Sequence, residues 1–273
     1  MLNILYEDSH ILVVWKPAGM DSQESRGLGT DMVSEIRKYI HSQSPGSGVP
    51  YVGVIHRLDR PVSGILVYAR TKEAAAALSR QIAQGGMKKE YLAVLCGKPV
   101  DNVDKFVDYL LKDGKSNVSR IVDKGTTGAK QAELSVRVLE TRTVDPYGEL
   151  SLAQITLHTG RHHQIRVQMA GHGLPLWGDQ KYHPAVENSR PLPGASSGIP
   201  DSGRHTGALA DAGNHPENRD AAKGHPYNSS ATGNLALAAW KLAFIHPATG
   251  KPMTFEKMPD GDIFRRFAFV NKG

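Results

Sequence analysis

Apolar residues along this chain fall mostly into short runs separated by polar turns, and only a few stretches carry helical spacing. Residues 2–6 and 11–15 are two such runs with Glu7, Asp8, Ser9 and His10 between them, which predicts a β-hairpin. Lys16, Pro17, Ala18 and Gly19 close it in a turn. Over 30–41, Val33, Ile36, Tyr39 and Ile40 recur on one helix face, with Thr30 or Asp31 as the cap. Residues 51–55 and 65–69 are compact runs rich in β-branched side chains and predict two buried strands. Between them lies the polar turn His56-Arg57-Leu58-Asp59-Arg60-Pro61-Val62-Ser63-Gly64. Pro61 fixes φ there, and Gly64 admits backbone angles closed to other residues. Such a turn either holds one acid still between two arginines or is a surface loop with a solvated Asp–Arg pair.

Further along, 71–85 reads as an Ala-rich helix capped by Thr71 and stopped by Gly85 and Gly86. In the strand predicted over 88–97, Tyr91 and Ala93 share one face and Leu92 and Val94 the other. Weaker strands are predicted at 103–111 and 118–122. Residues 131–143 alternate clearly, with Ala132, Leu134, Val136 and Val138 on one side, and 150–158 follow after the turn Asp145-Pro146-Tyr147-Gly148. Residues 159–173 read as a helix with Thr159 as N-cap and Ile165 and Met169 toward the core. Residues 183–232 break the pattern. Gly, Ser, Pro, Asn and His dominate, aliphatic runs are missing and the charges nearly cancel, so a flexible insertion is expected. Strands return at 237–246 and 252–255, and 260–269 reads as a closing helix. Hairpins outnumber βαβ units. The pattern therefore predicts an α+β fold with a mixed, mostly antiparallel central sheet flanked by helices.

The chain has 273 residues and a formal net charge of +6, which suits a polyanionic partner without requiring one. Its one cysteine, Cys96, lies in an apolar run and excludes both a disulfide framework and a Cys-based metal site. No apolar stretch approaches the length of a membrane span and the N-terminus lacks a signal-peptide pattern, so a soluble cytoplasmic protein is expected. His162 and His163 are adjacent and cannot converge on one ion from a helix, and no His-Glu-x-x-His pattern occurs, so no metal site is predicted.

Three blocks line up in order: His56-Arg57-Leu58-Asp59 with Ser63-Gly64, then Lys89-Glu90-Tyr91-Leu92-Ala93, then Thr159-Gly160-Arg161 with His163-Gln164-Ile165-Arg166 and Gly178-Asp179. Together with Lys16-Pro17-Ala18-Gly19 and Phe244-Ile245-His246-Pro247, they resemble the motifs of RluA-type pseudouridine synthases. The likeness covers the whole chain apart from the insertion. Trp15 stands where the family usually has Asn and Val62 where it usually has Thr, and both departures leave the acid, the tyrosine and the arginines untouched.

The resemblance implies a single catalytic domain over 1–273, with 183–232 as an insertion and a catalytic cleft across the sheet. It implies isomerisation of uridine to pseudouridine in a structured ribosomal or transfer RNA, by a monomer, with no cofactor. The family's S4-type RNA-binding module is expected to be absent, because the catalytic domain begins at residue 2. Asp59 is then the reacting carboxylate, either a nucleophile or a base on the sugar. Arg166 is its expected bidentate partner, and Tyr91 stacks on uracil or moves a proton. Arg57, Arg161, His56 and Gln164 are the expected RNA-binding residues. Two rivals remain: an RNA-binding or ribosome-assembly protein without activity on the same fold, and a hydrolase with Asp179 as a second acid.

Overall fold

The computed structural model describes residues 2–25, 29–46, 48–99, 105–183 and 234–272. At its start, β1 (Asn3–Glu7) and β2 (Ile11–Lys16) pair antiparallel as the hairpin pattern requires. Every residue of β2 is buried, because β4 (Ser63–Ala69) covers its other edge from Ile11↔Ala69 to Lys16↔Gly64. The remaining strands are β5 (Lys88–Cys96), β6 (Lys105–Asp113), β7 (Val118–Val122), β8 (Lys130–Val144), β9 (Gly148–Leu157), β10 (Leu237–Ile245) and β11 (Pro252–Glu256). They join one sheet in the order β1-β2-β4-β10-β5-β9-β8-β6-β7, with β11 beside β10 and the short β3 (Gly53–Val54) beside β4.

One junction sets up the cleft. β5 occupies one edge of β10, and β4 and β11 share the other. β4 runs parallel to β10 for only two residue pairs, Ser63↔Ala238 and Gly64↔Ala239, before the two strands diverge. Ala239 in turn faces Tyr91, and Tyr91 faces Ile155 of β9. The end of the Asp59 turn and the Tyr91 position are thus tied side by side through one residue of β10.

Strand alternation then divides the core into two faces. Val13, Ile65, Val67, Leu92, Val94, Leu152 and Leu242 point to one side, under α2 (Lys72–Ala83). Leu12, Val14, Leu66, Tyr91, Ala93, Leu134 and Ile155 point to the other, where α1 (Met32–Gln43) and α3 (Gln164–Gly171) pack. Leu58 and Val62, which flank Asp59, belong to that second face and anchor its turn there. Asp31 caps α1 by accepting from Ser34 N at 2.8 Å, and Thr71 caps α2 by accepting from Ala74 N at 3.1 Å.

Several boundaries differ from those predicted. The run 51–55 forms a strand only at Gly53–Val54, with Tyr51 and Val54 exposed, because β3 pairs only with the end of β4. α3 begins at Gln164, since His163 adopts left-handed angles (φ 54°) and 159–162 form a loop. The C-terminal helix is replaced by 3-10 turns at Phe264–Arg266 and Val270–Lys272, which bury Phe264 and Phe267. β8 keeps its alternation through Val136 and bulges between Val138 and Glu140. The predicted insertion, apart from His183, and residues 103–104 of the strand predicted at 103–111 lie outside the described residues. Among the described residues no helix is long and apolar enough to cross a membrane.

Candidate active site

A cleft of about 1690 Å³ opens on the second face of the sheet. Its walls come from the Asp59 turn, the start of β5, the end of β9 and the segment leading into α3. That volume exceeds the 300–1,000 Å³ usual for a small-molecule pocket and suits part of a larger ligand.

The Asp59 turn is held from below by 16–22. Lys16 is fully buried at the end of β2, and its Nζ donates to the carbonyls of Pro17 (2.9 Å), Met20 (2.7 Å) and Arg60 (3.1 Å). Burial pulls its pKa down to about 8, against the opposing charges of Asp21 and Asp59. Ser22 Oγ donates to Leu58 O at 2.8 Å and accepts from Leu58 N at 3.0 Å. Gly19 N donates to Arg60 O at 2.7 Å, and Arg60 Nε returns a bond to Gly19 O at 2.9 Å. Backbone groups on both sides of Asp59 are therefore fixed, and the carboxylate is the part left to act.

Asp59 keeps about 30% of its side chain exposed. Its Oδ2 lies 3.6 Å from Arg166 Nη1 and 3.6 Å from His163 Nε2. Burial raises its pKa above the usual carboxylate range, and Asp179 adds to this; Arg166 and Lys16 oppose it. The bidentate partner of Arg166 is not Asp59, as predicted, but Asp179, at 2.8 Å from Nε and 2.7 Å from Nη2. Asp179 is fully buried and also accepts from Lys181 N and Tyr182 N, so one carboxylate shapes the turn and aims the guanidinium. Only the third nitrogen of Arg166 is left to face Asp59. Tyr182 lies under the guanidinium, 5.2 Å from ring centre to Cζ.

Tyr91 is buried in the cleft wall. Burial and the Asp59 charge push its hydroxyl pKa upward, so it is a protonated phenol at neutral pH. The other predicted residues divide. Arg57 and Arg161 are exposed on the cleft rim; Arg57 Nη1 donates to Gln23 Oε1 at 3.1 Å and Arg161 Nε to Gln131 O at 2.8 Å. Arg57 sits in a loop rather than on a strand, and Arg161 lies three residues before α3 rather than in its first turn. His56 is buried against β4 and accepts from Val67 N at 3.3 Å. With its pKa pulled down to about 3 by burial and Lys89, it is a neutral structural ring. Gln164 has its amide committed: Nε2 donates to Glu133 O, and Oε1 accepts from Thr159 Oγ1 and Arg161 N. Both corrections to the predicted RNA contacts follow from these internal bonds. Gln164 positions the Arg161 loop instead.

Sequence reasoning missed four residues that build the site: Lys16, Ser22, His163 and Tyr182. Lys16 was visible only as part of a turn. His163 was visible as the residue before Gln164-Ile165-Arg166, but its neighbour His162 drew attention to metal binding instead.

Comparisons with known proteins agree with this architecture. The model of the family described as RNA pseudouridylate synthase matches residues 10–171. The chain is 32% identical over 260 residues to the ribosomal large subunit pseudouridine synthase D of Nitrosomonas europaea, covering 95% of this chain and 62% of that protein. It is 35% identical over 262 residues to the ribosomal large subunit pseudouridine synthase C of Escherichia coli O157:H7, covering 96% of this chain and 68% of the relative. The chain thus spans about two thirds of the length of these curated relatives. In fold it is similar to the solved human RNA pseudouridylate synthase domain containing 4, with a TM-score of 0.66 at 19% identity over 99% of this chain and 93% of the other. The chain belongs to the RNA pseudouridylate synthase family, in the RluA type that its motifs resemble.

Proposed function

We propose that this protein isomerises uridine to pseudouridine at a site in structured RNA, with Asp59 as the reacting acid. The observation that carries this reading is the carboxylate itself. It stands at a cleft larger than the usual small-molecule pocket, faces a guanidinium fixed by a second acid, and lines that cleft together with the buried Tyr91 ring.

The reaction breaks the bond from N1 to C1′, turns the base, and forms a bond from C5 to C1′. N1 gains a proton and C5 loses one, so nothing is oxidised and no group is lost. Asp59 serves ionised, either adding to the nucleotide or removing the 2′ hydrogen. Arg166 Nη1 stabilises the carboxylate through either route. Tyr91 gives the extruded uracil a ring to stack on, and its protonated hydroxyl suits it to donate rather than accept a proton in the resting state. Arg57 and Arg161 meet phosphates at the rim. The relatives are named for the large ribosomal subunit, so its RNA is the first substrate to test, and transfer RNA the second.

The test is tritium release from RNA labelled at uridine C5, since every route expels that hydrogen. Wild type releases it, and Asp59→Asn releases at least ~100-fold less. Equal release by both would move the chemistry to another acid. Release of free uracil would indicate hydrolysis instead.

A further inference from the structure

His163 stands between Asp59 and a buried hydroxyl whose other hydrogen bond favours one tautomer of its ring. Tyr182 is fully buried, and its hydroxyl oxygen accepts from the backbone N–H of Ser119 at 2.8 Å. The same oxygen lies 2.7 Å from His163 Nδ1. An amide N–H can only donate, so the acceptor that bonds the phenolic hydrogen among the described residues is Nδ1. A neutral imidazole that accepts at Nδ1 carries its proton on Nε2. Nε2 lies 3.6 Å from Oδ2 of Asp59, longer than a hydrogen bond and within the looser spacing of catalytic contacts before substrate tightens them. The left-handed backbone at His163 turns the ring toward the acid, and the His162 ring stacked at 3.7 Å holds its plane.

We propose that His163 is a positioning residue for the reaction: a neutral imidazole, protonated on Nε2 through Tyr182, that donates to Oδ2 of Asp59. This rests on the reading of Asp59 as the reacting acid. Arg166 Nη1 meets that same oxygen, so the two donors together leave Oδ1 to the nucleotide. The ring's neutrality agrees with its surroundings. Burial first, then the charges of Arg166, His162, Lys181 and Lys112, pull its pKa down to about 2. A neutral donor orients the acid without adding a further full positive charge to those of Arg166 and Lys16. The groups that face Asp59 are Lys16 from β2, Tyr91 from β5, Arg166 and His163 at α3, and Asp179 and Tyr182 from the following loop. Of these, His163 is the uncharged N–H.

Two substitutions separate this from simple packing. Gln places an N–H near the Nε2 position, whereas Asn places its amide near Nδ1 and accepts left-handed angles readily. The measurements are the two-bond ¹H–¹⁵N spectrum of ¹⁵N-histidine protein, the ¹³C titration of the Asp59 carboxyl, and kcat and KM for tritium release. In wild type, His163 shows the Nε2–H tautomer, which becomes mixed in Tyr182→Phe. His163→Asn raises the Asp59 titration midpoint by about one pH unit and lowers kcat about tenfold, with KM nearly unchanged; His163→Gln stays close to wild type. An Nδ1–H tautomer in wild type, or equal behaviour of the Asn and Gln variants, would overturn the proposal. If wild type releases no tritium while the tautomer and the Asn-only titration shift are present, His163 positions Asp59 as proposed and the functional reading fails instead.

Discussion

Asp59 and Asp179 stand on either side of one guanidinium, yet their environments set opposite consequences for removing them. Asp59 is raised in pKa by burial more than Arg166 and Lys16 can offset. Its folded-state pKa therefore lies above its unfolded value of ~3.9. Between the two the folded state binds more protons, so stability falls as pH rises through that window. Above it the ionised acid is a fixed destabilisation, as the proposed role of a reacting group would entail. Asp59→Asn should therefore melt at or above the wild-type temperature at neutral pH. The difference should shrink as pH is lowered toward 4, as thermal melts in a pH series would reveal. Asp179 is the reverse. It is fully buried and bonds Arg166 twice, so Asp179→Asn removes the buried charge paired with Arg166 and sets an NH2 donor against its Nε, while Oδ1 can still accept from the turn amides of Lys181 and Tyr182. A loss of about 3–5 kcal/mol by urea denaturation is expected. If Asp59→Asn proved the more damaging of the two, the assignment of one acid to chemistry and the other to support would be reversed.

At the level of elements, the junction of β4 with β10 depends on Gly64. Its φ is +143°, and a Cβ there would lie 2.6 Å from the N, O and Cβ atoms of Ala239. Gly64→Ala should cost about 3 kcal/mol through strain and overpacking together. It should also lower kcat, because Ala239 carries the register to Tyr91. Urea midpoints and tritium release measured on the same preparation test both effects, and a variant of wild-type stability would mean that the parallel contact is not needed. This junction also shows what the sequence could not reveal. The hairpin of β1 and β2, the caps at Asp31 and Thr71 and the alternation of β8 are local patterns, legible from neighbours in the chain. The contact of Gly64 with Ala239 joins distant segments that carry no shared local signal. The start of α3 was misplaced for a similar reason. Thr159 has the composition of a cap, but its hydroxyl, with the Gln164 amide, is bound to Glu133 across the sheet. The site behaved alike: Asp59, Tyr91 and Arg166 could be named from motifs, whereas the partner of Arg166 and the direction of His163 exist only in the folded chain.

For the molecule as a whole, the proposed function raises the question of how RNA would reach a carboxylate in a cleft of that size. The chain carries a formal charge of +6, too modest to direct an RNA by net charge alone. The distribution matters more, and Arg57, Lys88, Lys112 and Arg161 stand exposed around the opening. Arg57 and Arg161 are each tied through one nitrogen to a neutral oxygen, of Gln23 and of Gln131. That aims each side chain and leaves its charge, among the described residues, free of a carboxylate. Phosphates neutralised by such arginines release counterions, so log affinity should fall linearly with log salt. Arg57→Ala and Arg161→Ala should each weaken binding and make the slope shallower by ~0.7–0.9, in filter binding with a large-subunit RNA fragment across a salt series. Lys251→Ala, exposed and away from the cleft, should leave the slope unchanged. Asp59→Asn should bind at least as tightly as wild type, since it removes a negative charge from the path of a polyanion. If both arginine variants kept the wild-type slope while Lys251→Ala reduced it, the RNA would approach over the opposite face. The cleft would then have to receive a base from a strand held elsewhere.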